Sequence, residues 1–116
     1  MRIIAEPLAI TVVGLVLAGS AGAVDLIEAV GALKCGGRVR SYAVEFLAPD
    51  TEELEANAKA LVRGLEADRQ VRLSLDGRPC NEARCSFRAS KGQTYRLVAG
   101  SEPVRFDHLC VVISRP

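Results

Sequence analysis

The chain has no tryptophan, a single histidine and few aromatic side chains in 116 residues. Surfaces that bind sugars stack them on exposed aromatic rings, so this composition disfavours carbohydrate recognition. There is no charge excess either: 15 basic residues face 14 acidic ones, a formal net charge of +1. A chain so balanced has no electrostatic footprint for nucleic acid, nor the basic excess of a membrane-surface binder. His108 follows Asp107 directly. Neighbouring residues on a strand point to opposite faces, so Asp107 is badly placed to orient His108 for catalysis. The carboxylates bunch between positions 50 and 66, and no isolated pair suits acid–base work. Gly36-Gly37-Arg38 lacks the lysine and hydroxyl of a phosphate loop. No internal repeat, low-complexity tract or linker divides the chain. These absences argue against an enzyme and against a cofactor.

What is present begins at the N-terminus. Arg2, a mostly apolar run from Leu8 to Ala18, and the small residues Gly19-Ser20-Ala21-Gly22-Ala23 have the order of a cleavable secretion signal. Ala21 and Ala23 hold the small-x-small positions, which predicts cleavage after Ala23. The apolar run is shorter than the roughly 20 residues a membrane-spanning helix needs, so no stable span is expected after cleavage. No cysteine follows the small residues, which disfavours a lipid anchor. The reading is residues 1–23 as signal peptide and 24–116 as one small exported domain, periplasmic or secreted. Arg2 and Glu6 leave together, so the domain stays near neutral.

All four cysteines (Cys35, Cys80, Cys85 and Cys110) fall in the exported part. An even number in a small secreted chain predicts two disulfides, because oxidising compartments maintain them and thin cores need them. Of three possible pairings, Cys80–Cys85 and Cys35–Cys110 are favoured. Cys80 and Cys85 bracket the polar stretch Asn81-Glu82-Ala83-Arg84, which suits a loop pinned by a local bridge. The second pair would tie the start of the domain to its last strand. A metal site is the alternative: His108 and Cys110 share a strand face, and with Cys80 and Cys85 they could offer one nitrogen and three sulfurs to zinc or copper. A thioredoxin-like redox pair is disfavoured, since four residues separate Cys80 from Cys85 and no helix signal follows.

Elements follow from periodicity. Residues 24–33 suggest a short helix or irregular lead-in. Residues 38–47 alternate, with Tyr42, Val44 and Phe46 on one side, and predict a strand. Residues 50–66 read as an amphipathic helix. Asp50 or Thr51 would cap it, Glu52, Glu53 and Glu55 would sit in its first turn, and Leu54, Ala58, Leu61, Val62 and Leu65 would form its apolar stripe. The acidic run lacks the alternating oxygen spacing of a calcium loop. Further strands are expected at 71–75, 85–90, 94–99 and 106–114, with turns at Asp76-Gly77 and Lys91-Gly92. The expected fold is α+β: one amphipathic helix on a mostly antiparallel sheet of about four to five strands, disulfide-stapled. A right-handed crossover from 42–46 through the helix to Val71 would add one parallel pair.

Arg72, Arg88 and Arg96 alternate with apolar residues. They are expected on one face, opposite Leu73, Phe87 and Leu97, either as the solvated face of a one-sided sheet or as a surface for an anion or carboxylate. The functional expectation is a non-catalytic binding or accessory protein, adaptor- or inhibitor-like. Its partner would be another exported protein or an anionic ligand. A metal-binding protein and a small secreted enzyme with an unrecognised site are the alternatives.

Overall fold

The computed structural model describes residues 24–101 and 104–116. The leader reading of 1–23 lies outside the described residues. Ten strands follow in chain order: β1 (Asp25–Ile27), β2 (Leu33–Val39), β3 (Ser41–Leu47), β4 (Glu52–Val62), β5 (Leu65–Glu66), β6 (Arg72–Leu75), β7 (Arg78–Pro79), β8 (Arg84–Ala89), β9 (Thr94–Gly100) and β10 (Phe106–Ser114). They form two sheets. The front sheet has the order β1-β3-β9-β6-β7. The back sheet runs β2-β10-β4, with β5 and β8 both paired to β4. Inner faces of the two sheets meet in one core, with Val44, Phe46, Leu73 and Leu97 from the front and Leu54, Ala56, Leu109, Val111 and Ile113 from the back.

The expected α+β fold is overturned: residues 50–66 form no helix. They make the long strand β4 and a hairpin to β5, and the one helical element among the described residues is a 3-10 turn at Asp68–Gln70. The stretch satisfies two periods at once. Leu54, Ala58, Leu61, Val62 and Leu65 fit a helical stripe, while Leu54, Ala56, Ala58 and Ala60 fit alternation, and all four of the latter are buried. Alanine, glutamate, leucine and lysine favour helix locally. The strand is fixed by partners on both edges, β10 along Glu55–Leu61 and β8 along Glu52–Asn57. The acidic run is therefore not helix-end chemistry. Glu53 pairs with Arg88 at 3.1 Å and Glu55 with Arg84 at 3.2 Å, both across to β8, while Glu52 meets Arg115 at 2.7 Å. Exposed pairs of this kind contribute about 0–1 kcal/mol each.

Two further expectations change. The lead-in at 24–33 contains β1, and β1 with β3 is the parallel pair among the described strands. The parallel pair expected between β3 and β6 does not form: the two strands run parallel but β9 lies between them, antiparallel to both, and β4 and β5 of the back sheet, not the expected helix, connect them. The strand expected over 38–47 is broken at Arg40, where the chain passes from the back sheet to the front one. The Lys91-Gly92 turn likewise joins β8 in the back sheet to β9 in the front. Asp76 and Gly77, with φ of 50° and 84°, form the tight primed turn between β6 and β7.

Gly36 shows how closely the sheets meet at the β2 edge. A Cβ there would lie 2.7 Å from Cδ1 of Tyr42, so the tyrosine ring occupies the space a side chain would need. The Tyr42 hydroxyl donates to Asp25. Burial, then that hydrogen bond, then the Asp25 charge, push the phenol's pKa well above its ordinary value. The folded protein thus holds this proton more tightly than the unfolded chain. Its contribution is complete below about pH 10, where unfolded tyrosine titrates, and is lost as pH rises toward the folded value. Urea unfolding across this range should show stability falling above about pH 10. Tyr42→Phe should flatten that slope; an unchanged slope would assign it to other groups.

A candidate anion notch on the front sheet

The two disulfides are Cys35–Cys110 and Cys80–Cys85. Two such bonds are the mark of an oxidising compartment. They also occupy the sulfurs that the metal reading requires as thiolates. Cys85 on β8 and Cys110 on β10 belong to strands flanking opposite edges of β4, so Cys80 and Cys85 do not join His108 and Cys110. His108 is exposed on β10 opposite Gly37 and Leu61. The Asp107 carboxylate accepts the Arg63 N–H at 2.6 Å, away from any catalytic arrangement with His108.

Of the three arginines expected on one face, Arg72 and Arg96 share the outer face of the front sheet and Arg88 lies in the other sheet. Arg88 lies on β8 in the back sheet and pairs with Glu53. Arg96 lies on β9 in the front sheet, 3.8 Å from Glu45, and its backbone N–H donates to Asp76 at 2.8 Å. Arg72 lies on β6, also in the front sheet, with no carboxylate partner among the described residues. Its Nη1 donates to the carbonyls of Arg69 (3.3 Å) and Val71 (3.2 Å), which orients the guanidinium while leaving other N–H groups free.

Arg72 has a different companion. Gly100 on β9 stands in register with Ser41 of β3 on one side and with Arg72 on the other. Arg40 precedes Ser41, and its carbonyl accepts the Ser101 N–H at 3.4 Å. A Cβ at Gly100 would lie 2.7 Å from the Arg40 carbonyl oxygen and 3.0 Å from Ser41 Cβ, so only glycine fits. Arg40 and Ser41 fill the place of that side chain, so the chain at Arg40 closes on Gly100 from one side while Arg72 stands in register on the other, and the three mark a notch at this end of the sheet. The notch opens into a trough of about 630 Å³ on the outer face of the front sheet, lined by Arg40, Arg72, Ser41, Ser74 and Ser101 among others. No acidic side chain lines it among the described residues. Two unpaired guanidiniums beside three hydroxyls offer charge-assisted donors to a carboxylate, phosphate or sulfate. A smaller recess of about 240 Å³ on the back sheet sets Lys59 and His108 with Glu66 and Asp68, a mixture of signs without such a preference.

Sequence reasoning placed Arg72 on an exposed face but missed Arg40, the serines and the role of Gly100. A glycine at the end of an alternating strand is a sign of close backbone approach, and that was the available signal. Comparison with protein-family models, with curated proteins and with solved structures gives no match.

Proposed function

We propose that this chain is an exported, non-catalytic binding protein of the secreted or periplasmic space, and that it grips its ligand as an anion between Arg40 and Arg72. The observation that carries the reading is that Arg40 and Arg72, neither with a carboxylate partner, flank Gly100 and line one trough free of acids among the described residues. Arg88 and Arg96 already have carboxylate partners and fall outside the site. The two bridges support export, since they persist where thiols are oxidised. A protein ligand would present an acidic side chain or a terminal carboxylate, and a small ligand would present its own oxyanion.

Titration of labelled protein with inorganic phosphate and, separately, with succinate tests the site. At least one should move the backbone amide signals of Ser41, Ser74, Gly100 and Ser101. Hydrogen bonds to charged groups are worth about 1.5–3 kcal/mol, so Arg72→Glu or Arg40→Glu should weaken binding by about tenfold or more. Arg88→Glu and Arg96→Glu should leave it unchanged. Shifts confined to other surfaces, or equal losses from all four variants, would refute the assignment.

A further inference from the structure

We infer that the outer edge of β2 is a strand-addition site for an extended segment of another exported protein in which apolar and acidic residues alternate. This site is separate from the anion notch and does not rest on it.

β2 ends the back sheet, with seven residues and no partner on its outer side among the described strands. Its pairing with β10 determines which backbone groups are free. Cys35 stands directly opposite Cys110 with Cα atoms 4.0 Å apart. So close an approach identifies a pair that does not exchange backbone hydrogen bonds, since bonded antiparallel pairs stand about 5.5 Å apart. The N–H and C=O groups of Cys35, and by alternation those of Leu33 and Gly37, therefore face away from β10. An exposed row of this kind templates another strand.

The side chains define what that strand carries. Leu33, the Cys35–Cys110 bridge and Gly37 share the outer face, and Leu33 is 55% exposed. Lys34 and Arg38 are exposed and form no ion pair among the described residues; Lys34 alternates with them, while Arg38, at a left-handed φ of 56°, ends the regular extended row. β2 carries no acid. A complementary strand presents apolar side chains over Leu33 and the bridge, and carboxylates beside Lys34 and Arg38.

The same charges oppose a second copy of this chain. Antiparallel self-pairing centred on Gly36 sets Lys34 of each copy against Arg38 of the other, and like charges directly opposed destabilise a ladder. Charged residues on an edge are a usual defence against self-association. The other long edge differs: β8 has six residues, and its Arg84 and Arg88 are neutralised within the fold by Glu55 and Glu53. β5 and β7 have two residues each.

The test uses a capped seven-residue peptide alternating valine and glutamate, and a control with lysine for glutamate, at low ionic strength. The acidic peptide should bind, slow hydrogen exchange at the Leu33, Cys35 and Gly37 amides, and weaken with added salt. The lysine peptide should not bind. The double variant Lys34→Glu/Arg38→Glu should lose about tenfold in affinity for the acidic peptide, since two cross-strand attractions become repulsions. Its fold is checked by both bridges in the intact mass and an unchanged circular dichroism spectrum. Arg72→Glu should bind the peptide as the parent does, which separates this site from the notch. Binding without protection of β2, equal binding of the lysine peptide, or a peptide-free dimer that protects the same amides would each overturn the inference.

Discussion

Replacing Cys35 and Cys110 together by serine should cost about 4–5 kcal/mol, while the same change at Cys80 and Cys85 should cost about 2 kcal/mol. The difference comes from loop length. The first bridge joins residues 75 apart and the second residues 5 apart. In the chain-entropy model, closing the longer loop removes far more freedom from the unfolded chain. Geometry works against the alternative, that the first bridge holds the fold by adding contacts. Cys35 and Cys110 already sit opposite each other in a ladder of hydrogen-bonded strands, on the outer face of the sheet. Losing that bridge leaves the register intact and acts through the unfolded state. A domain of this size has about 5–15 kcal/mol in hand, so the Cys35/Cys110 double serine variant should lose at least about a quarter of it, and about twice what the other variant loses. Urea midpoints of the two variants decide it. Equal losses, or a larger loss at Cys80 and Cys85, would mean that native-state contacts set the cost. The Cys85 side offers such contacts, because Cys85 faces the core at 9% exposure.

The strands legible in the sequence are those whose pattern admits one period. β10, from Phe106 to Ser114, is apolar, with Leu109, Val111 and Ile113 all buried. β6 alternates arginine and serine with leucine, and the Asp76-Gly77 turn ends it where expected. β4 was illegible because three alanines, at 56, 58 and 60, serve a helix and a strand equally. Its composition favours the helix, and the partners that decide the matter are β8 and β10, distant in sequence. Sheet membership was harder still. Arg72, Arg88 and Arg96 share an alternation with their neighbours, yet nothing local reports that the turn at Lys91-Gly92 changes sheets. The notch suffers from the same limit. Arg40, Gly100 and Arg72 meet only through two antiparallel registers, β3 with β9 and β9 with β6. The cysteines were the more legible part, since Asn81–Arg84 closes a tight turn with hydrogen bonds in both directions, and Cys80 and Cys85 flank it.

Phe46→Ala should destabilise the domain by about 3–5 kcal/mol, comparable to the loss of the long-range bridge but by a different route. Phe46 is fully buried on β3 in the front sheet, and its ring meets the edge of Phe87 from β8 in the back sheet. The centroids are 6.4 Å apart with the planes at 85°, the edge-to-face arrangement that the ring quadrupoles favour. Phe87 in turn lies 5.3 Å from Tyr95, which stands opposite Phe46 in the β3–β9 ladder. Three of the chain's five phenylalanines and tyrosines are thereby gathered at one place where the sheets close on each other. Truncating Phe46 removes transfer energy and leaves a cavity between two hydrogen-bonded sheets, which have little freedom to collapse into it. Phe87→Ala should cost less, because Phe87 is only partly buried. A double-mutant cycle between the two should give a coupling of about 0.5–1.5 kcal/mol, since their loss is shared where they touch. The serine variants act on the unfolded chain, so they should add to Phe46→Ala without coupling. Strict additivity between Phe46 and Phe87 would show that the ring contact contributes nothing beyond burial. A loss at Phe46 below about 1 kcal/mol, outside the usual range for a buried ring, would contradict its place at the centre of the core.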